Sequence, residues 1–441
     1  MIKCANCGGE LIYSISEQKL KCSSCGSIYD LTDSFDEDKA ETIDMNAFTC
    51  PECGGEIYSN SSTAAGFCSF CGAHVTLKQR LTKWQKPEFV IPFKVQKEKA
   101  KQMVVEKLQS KHFVPNELKD ANNLDICRGI YIPYWVYEVE SHADLDLDCE
   151  AISGNMHSVY EVTGHAHSEK VGLNHDASIS FADDIGLNLN PYNLRDAEDF
   201  SSAYLCGFYA DIADEQAKKF ESTVKKDALK SFKEDIKEDL ERRYRDLDSI
   251  PVVLDASDTK IKNAYLCLFP VWLISYRRGD SVAYFAVNGV TGKIVTDTPI
   301  EKKKYIVDSV ITAAVLSVVI SILNSSTAHN LLTPIGALSI LNMIGLIWGN
   351  SIMSKKMPSE DGKQFGKPNG TNIFSILLLL VSLPGFLLGS MDIPSDFLYY
   401  SYAGIEILVN IIGISKGIKN MNYITARRLP QFDYRGKDVN V

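Results

Sequence analysis

Arginine is absent from the first 75 residues of this 441-residue chain, which carry four lysines and eleven acidic side chains. Nucleic-acid affinity comes largely from Lys and Arg side chains that displace counterions from phosphates. The whole chain also lacks a Gly-x4-Gly-Lys-Ser/Thr loop, whose backbone N–H groups cradle the phosphates of a nucleotide. We therefore expect neither nucleic-acid binding nor a nucleotide-driven helicase activity.

The chain has no apolar stretch before its first cysteine, because Met1-Ile2-Lys3 leads directly into Cys4. We therefore expect no cleaved signal peptide. Four other cysteines are scattered through the chain without a pairing pattern: Cys127, Cys149, Cys206 and Cys267. This usage is typical of a reducing compartment, where cysteines bind metals more often than they form crosslinks.

Eight cysteines form two copies of one frame, in which 14 residues separate two Cys-x2-Cys pairs. The first copy comprises Cys4, Cys7, Cys22 and Cys25, and the second comprises Cys50, Cys53, Cys68 and Cys71. The flanking sequences CANCGGELIYS and CPECGGEIYSN repeat with them at an offset of 46 residues. A segment of this length buries too little apolar surface to fold without a metal or a disulfide.

Four thiolates are the ligand set that zinc takes in closed, tetrahedral structural sites. The frame therefore predicts two Cys4 zinc ribbons, residues 1–30 and 47–76, that hold two structural Zn²⁺ ions. Rubredoxin-like iron and disulfides are the alternatives. A closed site leaves no position for water, so we expect no Lewis-acid chemistry from these metals. The acidic segment 31–46 is interpreted as a solvated linker, or as an electrostatic attraction for a basic partner.

Residues 77–300 are predicted to form an α+β domain. Runs rich in β-branched and aromatic residues, such as GIYIPYWVYE and FPVWLISY, indicate strands. Each run has a proline two residues before a tryptophan, Pro133 and Pro270, which favours a strand edge or a strand start. A long charged helix is predicted over 214–247. Its apolar stripe is expected to lie on the domain's own sheet, with docking of a helical partner as the alternative.

Four predominantly apolar stretches follow residue 304, each near the roughly 17–25 residues that cross a hydrocarbon core as a helix. They are residues 305–323, 331–348, 373–391 and 397–414. The loops 324–330 and 392–396 contain no Lys or Arg, whereas the other flanking segments do. By the positive-inside rule, this alternation predicts a four-span transmembrane region, 301–415, with both termini and the tail 416–441 in the cytoplasm. For the second and fourth stretches, a re-entrant or interfacial hairpin is the alternative.

One carboxylate, Glu406, lies inside the fourth apolar stretch. A charge at mid-bilayer costs about 2.5–3.5 kcal/mol on insertion scales, and such residues usually face a partner or a watery path. Asn342 and Asn410 are candidate hydrogen-bond partners, which favours a protonated, structural Glu406. A proton or ion route through Glu406 is the alternative. Asp308 lies one turn into the first stretch, nearer the inner interface.

Histidines cluster in the α+β region. His165 and His167, two residues apart, would place two imidazoles on one face of a strand as candidate metal ligands. No third ligand at a convincing spacing completes the set, so a group of surface histidines is the alternative. Four carboxylates follow in the chain: Asp183, Asp184, Asp196 and Asp199. We interpret them as turn and helix-capping residues.

The order of segments is also informative, because a Cys4 ribbon is followed by IPFK, GIYIPYWVYE, FPVWLISY, VNGVTGK and then apolar spans. In this order the chain resembles a bacterial family described as TFIIB-type zinc-ribbon-containing membrane proteins, some of them labelled replication-restart helicase-like. The likeness covers nearly the whole chain, although this chain has two ribbons where one is expected. The resemblance implies a role in bacterial envelope maintenance, beside phage-shock-protein-A-like coiled-coil proteins and flotillin-like proteins. It brings no catalytic residues.

The sequence thus predicts a non-enzymatic adaptor in the bacterial cell membrane. Its zinc ribbons and α+β domain would recruit protein partners on the cytoplasmic face, and no catalytic or organic-cofactor site is predicted. The alternative is a small transporter or channel subunit that uses Glu406 and is regulated by the ribbons. An adaptor should lose partner recruitment when a ribbon is removed and should tolerate Glu406→Gln, whereas a transporter should behave in the opposite way.

Overall fold

A computed structural model of the chain describes residues 2–31, 42–59, 68–73, 78–124, 127–153, 156–244, 250–254, 259–279, 281–297, 299, 301, 303–304, 307 and 427–430. Within these residues, two Cys4 clusters precede an α+β domain, as the sequence predicts. The four predicted spans lie outside the described residues, apart from Val307, as do Glu406, Asp308 and the two asparagines. None of the described helices is long and apolar enough to cross a membrane.

The first ribbon is a small antiparallel sheet that docks on the α+β domain. Its strands are β1 (Leu11–Ser14), β2 (Lys19–Cys22) and β3 (Ile28–Tyr29), in the order β1-β2-β3. Leu11 and Tyr13 are buried because alternate residues of a strand share one face. The Tyr13 backbone N–H donates to the Cys206 carbonyl at 2.9 Å. The ring centroids of Tyr13 and Tyr204 lie 5.3 Å apart. One face of the ribbon therefore packs against the domain.

The second ribbon has its own three strands: β4 (Thr42–Thr49), β5 (Glu56–Ser59) and β6 (Lys78–Gln85). The middle strand, β4, pairs antiparallel with both others. It begins inside the predicted linker 31–46, because Ile43, Met45 and Ala47 alternate with polar residues and the last two are buried. The sheet of this ribbon also continues past residue 76, where the sequence placed its end.

The α+β domain adds nine strands to the sheet of the second ribbon. They are β7 (Phe89–Val90), β8 (Cys127–Ser153), β9 (Met156–Asp176), β10 (Glu198–Asp199), β11 (Tyr209–Ala210), β12 (Thr259–Arg278), β13 (Ser281–Asn288), β14 (Ile294–Thr296) and β15 (Arg427–Arg428). In the part of the chain described, twelve strands form one sheet with the path β10-β7-β12-β8-β11-β5-β4-β6. Beside this path, β9 pairs with β8, β13 with β12, and both β14 and β15 with β13. The β5–β11 pairing makes the second ribbon continuous with the domain.

Pro133 and Pro270 lie inside long strands, not at an edge or a start as the sequence suggests. The carbonyl of Pro133 accepts from Ala177 and that of Pro270 accepts from Gly289, so each ring nitrogen faces away from the β8–β12 pairing. At Pro133 the outer neighbour of β8 changes from β11 to β9, and at Pro270 that of β12 changes from β7 to β13. Each missing N–H therefore falls where no neighbouring strand requires a donor.

Among the described residues, three α-helices cover the sheet: α1 (Lys97–Gln109), α2 (Asp183–Leu189) and α3 (Glu221–Arg243). The long charged helix predicted over 214–247 corresponds to α3, preceded by a 3-10 turn at Ala217–Phe220. Its buried stripe comprises Val224, Ala228, Phe232, Ile236 and Leu240. The stripe packs on strand residues such as Val139 and Leu147 of β8. The prediction that it lies on the domain's own sheet is confirmed.

Candidate metal centres

All four Cys-x2-Cys pairs adopt the same tight backbone knuckle. In each, the glycine that follows the second cysteine donates its N–H to the carbonyl of the first, at 2.8–3.1 Å. These glycines are Gly8, Gly26, Gly54 and Gly72, with φ of 67–75°. Only glycine adopts this left-handed conformation without strain, which explains the Cys-x2-Cys-Gly pattern at all four positions.

The first centre, made by the knuckles of the first ribbon, is partly open to solvent. The Sγ atoms of Cys4 and Cys25 are 3.6 Å apart, and those of Cys7 and Cys22 are 3.5 Å apart. Cys7 and Cys25 are exposed, whereas the other two are buried. The Tyr29 hydroxyl, 3.2 Å from the Cys4 sulfur, stabilises the thiolate and lowers the pKa of Cys4 to about 6.

The second centre is buried in the fold. All four of its cysteines are buried and pack with Phe48, Ile57 and Phe70. The Sγ–Sγ distances are 3.8 Å for Cys50 and Cys71 and 3.7 Å for Cys53 and Cys68. The side-chain hydrogen bond between Cys50 and Cys53 holds the pKa of Cys50 well below its usual range and raises that of Cys53.

The domain also reaches into the second centre from β12 and β13. The Tyr284 hydroxyl donates to the Phe70 carbonyl, and the Ser275 hydroxyl donates to the Cys68 carbonyl at 3.5 Å. The Phe70 N–H also donates to the Cys68 sulfur at 3.4 Å. The second centre is therefore part of the packing of the domain.

The sulfur spacing fits a metal and excludes disulfides. Two thiolates on a tetrahedral zinc, each about 2.3 Å from the metal, lie about 3.8 Å from each other. The observed distances of 3.5–3.8 Å match this value, and every described cysteine is free. The two Cys4 clusters are thus compatible with two metal ions. Iron in a rubredoxin-like site takes the same tetrahedral set of four thiolates.

His165 and His167 lie on one face of β9, as the sequence predicts, but each contacts a different residue of β8. His165 faces Asp144, with Nδ1 and Oδ1 2.5 Å apart, whereas His167 faces His142, with the two Nδ1 atoms 3.1 Å apart. Glu140 lies 3.0 Å from the Nε2 atom of His142. Glu140 and His142 were not predicted as part of a site, because they lie on β8, the other strand of the hairpin. The register of the hairpin decides which side chains of the two strands meet. The alternating pattern of Glu140, His142 and Asp144 was the available signal.

The four carboxylates interpreted as turn or cap residues have varied places. Asp183 and Asp184 lie in the first turn of α2, after the N-cap Ala182. Asp196 ends a 3-10 turn and forms an ion pair with Lys94 at 2.7 Å, while Asp199 lies in β10. None of them is an N-cap.

A buried carboxylate, Asp176, was not singled out from the sequence. It is 4% exposed, and burial raises its pKa to about 8. Its Oδ2 atom and the hydroxyl of Tyr134 both lie within about 3 Å of where a Cβ on Gly186 would be, at 2.8 and 3.0 Å. A residue larger than glycine would therefore not fit at this position of α2.

The described residues thus define a protein with two Cys4 clusters, each compatible with a metal ion, and an α+β domain. Over 316 residues the chain is 32% identical to the uncharacterized protein YdjG of Bacillus subtilis (strain 168), which covers 68% of this chain and 91% of that protein. The chain therefore belongs to the same family as YdjG. No protein-family model matches the chain. No solved structure matches it either.

Proposed function

We propose that this protein is a non-enzymatic adaptor anchored in the bacterial cell membrane. The two centres hold structural zinc, and the ribbons with the α+β domain recruit protein partners on the cytoplasmic face. The resemblance to TFIIB-type zinc-ribbon-containing membrane proteins supports this proposal. It also points to a phage-shock-protein-A-like coiled-coil protein or a flotillin-like protein as the partner.

The observation that carries the proposal is the position of the two ends of the apolar region. Before it, the Glu301 N–H donates to the Phe113 carbonyl at 2.8 Å, and Lys304 Nζ donates to the Val114 carbonyl at 2.9 Å. After it, β15 pairs with β13. Both ends therefore leave from one α+β domain. A polypeptide that exits and returns on one side of a bilayer must cross it an even number of times, which supports four spans.

The returning end is fixed by charge as well as by strand pairing. Arg427 lies between two carboxylates, with Nη2 2.6 Å from Asp184 Oδ2 and Nε 2.9 Å from Asp297 Oδ2. Leu429 packs against the apolar shell of the second centre. The tail 416–441 would therefore share the compartment of the ribbons. This supports the orientation predicted from the lysine and arginine distribution.

The electrostatics favour a protein partner over a nucleic acid. The first 75 residues carry a net charge of −7 from four lysines and eleven acidic side chains. Eight thiolates on two Zn²⁺ ions would add a further −4, and such a surface repels phosphates. Four thiolates also leave zinc no open position for a substrate. The metal's contribution in this proposal is to hold the ribbons folded.

Reporter fusions test the orientation. A reporter fused at Ser326 should be active only outside the cell, and one fused at Gly362 only inside, because these residues lie in loops of opposite predicted side. Activity of both fusions on one side would contradict four spans. The reverse pattern would place the ribbons outside.

Crosslinking followed by mass spectrometry from native membranes tests the adaptor role. We expect a short, reproducible set of partner proteins that is lost when residues 2–30 are deleted and is unchanged by Glu406→Gln. Deleting residues 2–30 removes the first ribbon but none of the strands of the twelve-stranded sheet. The transporter hypothesis would be favoured if the partner set survives this deletion and if Glu406→Gln abolishes the function of the protein in the cell.

A further inference from the structure

The hairpin of β8 and β9 carries a row of metal-binding side chains on its outer face. Three successive cross-strand pairs face the same side: Glu140 with Glu169, His142 with His167, and Asp144 with His165. They share this side because alternate residues of a strand point to the same face. The opposite face, with Val139 and Ala143, packs on α3. The row therefore faces solvent. Its residues are also remote in the sequence from the cysteines of the two Cys4 centres.

The central pair of this row brings two imidazoles together. The rings of His142 and His167 are 4.4 Å apart between centroids, and their Nδ1 atoms are 3.1 Å apart. Two imidazole nitrogens bound to a tetrahedral zinc at about 2.0–2.1 Å lie about 3.3 Å from each other. The observed spacing therefore needs a shift of only a few tenths of an ångström to accept a metal.

The hydrogen bonds around His142 select the tautomer that a metal needs. Its Nε2 atom lies 3.0 Å from Glu140, an acceptor, so Nε2 carries the proton and Nδ1 presents its lone pair. Lys262 contacts Glu140 at 3.5 Å and Glu169 at 2.7 Å, which holds the carboxylate in place. A carboxylate on the remote nitrogen of a ligating histidine orients the ring and raises its basicity.

We propose that His142 and His167 bind one divalent transition-metal ion through their Nδ1 atoms, with Glu140 as the positioning residue that holds His142. Zinc is the ion we assign, because imidazole is one of its usual ligands. Two protein ligands leave the remaining positions to water, so this site should be weaker and more exchangeable than the Cys4 centres. His165 is excluded from the ligand set because Asp144 holds it.

The test is a zinc titration of the full-length protein in detergent. The protein is first dialysed against a weak chelator, and elemental analysis confirms that two equivalents of zinc remain. Isothermal titration calorimetry with Zn²⁺ should then show a third, weaker equivalent. His142→Ala and His167→Ala should each abolish it while leaving the first two equivalents in place. Glu140→Gln should weaken it by about 10-fold or more, the usual effect of losing such a carboxylate.

Two matched variants control for charge and for surface histidines in general. His165→Ala removes a histidine on the same face, and His112→Ala removes an exposed one beside Phe113, away from the hairpin. Both should leave the third equivalent unchanged. The proposal is overturned if no third equivalent appears, if it persists in His142→Ala, or if His165→Ala removes it equally. The four histidines are exposed and Glu140→Gln keeps the size of a half-buried side chain, so loss of folding should not complicate the result.

Discussion

Replacing Arg427 with methionine should release the segment 427–430 from the α+β domain. Arg427 makes a two-point contact with Asp184, with Nη–Oδ distances of 2.7 and 2.6 Å, and two further contacts with Asp297 at 2.9 and 3.2 Å. The side chains are 17%, 8% and 16% exposed, respectively. Methionine keeps much of the apolar stem but leaves two largely buried carboxylates without their cation.

The expected cost follows from this burial. Removing one partner of a buried ion pair costs about 3–5 kcal/mol. Because the cluster retains some exposure, and Asp297 also accepts the Tyr284 N–H at 2.8 Å, we expect the lower end, about 3 kcal/mol. At 1.4 kcal/mol per factor of ten, the detached state should become on the order of 100-fold more populated.

Amide hydrogen exchange of the full-length protein measures this population. Val282 of β13 pairs with Arg427 of β15, and its N–H faces β15 because the N–H of Tyr284, two residues further on, also points outward, to Asp297. The Val282 amide should therefore exchange faster in the variant, by up to about 100-fold. Arg427→Lys, which keeps the charge without the planar fork, should show an intermediate effect. Arg278→Met removes an exposed cation nearby and should change nothing. Unchanged exchange at Val282 in Arg427→Met would refute the docking of this segment.

Three further predictions concern the metal centres and the core. Cys7 is exposed and Cys53 is buried, so a chelator should remove metal from the first centre first; Cys7→Ser should cost one zinc equivalent, whereas Cys53→Ser should also lower the melting temperature of the domain. Equal release from both centres would contradict this order. Burial raises the pKa of Asp176 to about 8, above its unfolded value of 3.8, so the folded state favours the neutral acid. The contribution of this protonation to the stability of the protein is fully present below pH 4 and is lost as the pH rises towards 8. Asp176→Asn should therefore raise the unfolding free energy by about 2–4 kcal/mol more at pH 8 than at pH 5, measured by denaturant titration. Phe232→Ala should cost about 3–5 kcal/mol of stability, and the exposed control Lys233→Ala less than about 0.5 kcal/mol.

The two Cys4 centres could be predicted because their information is local. Four knuckles of four residues each, with a glycine after the second cysteine, are visible as a repeated pattern. The identity of the ligands, their grouping in fours and the left-handed glycines all follow from that pattern. Their different burial could not be predicted, because it depends on Tyr284 and Ser275, which lie about 200 residues further along the chain.

The sequence also predicted the two strands that contain Pro133 and Pro270, but it did not predict which strands pair with them. Pro133 and Pro270 suggest edges when each strand is considered alone. Their interior position is explained only by the change of outer partner at each proline, which is a long-range property of the sheet. In the same way, Met45 and Ala47 lie in an inner strand although the segment before them is acidic.

The histidine site shows the same limit at shorter range. His165 and His167 are neighbours in the sequence, yet the hairpin register directs each to a different partner on β8. A shift of the register by one residue would reverse which face carries the ligands. The four apolar stretches and Glu406 stay predictions from composition and charge.

The shared sheet of the second ribbon has a practical consequence for truncation. A fragment that starts at residue 77, just after the last cysteine pattern, would lack β4 and β5 and would leave β11 with an unpaired edge. Such exposed edges recruit other chains, so we expect this fragment to aggregate. A fragment that starts near Thr42 retains the whole sheet, and is the smallest piece from this end that should behave as an independent folding unit.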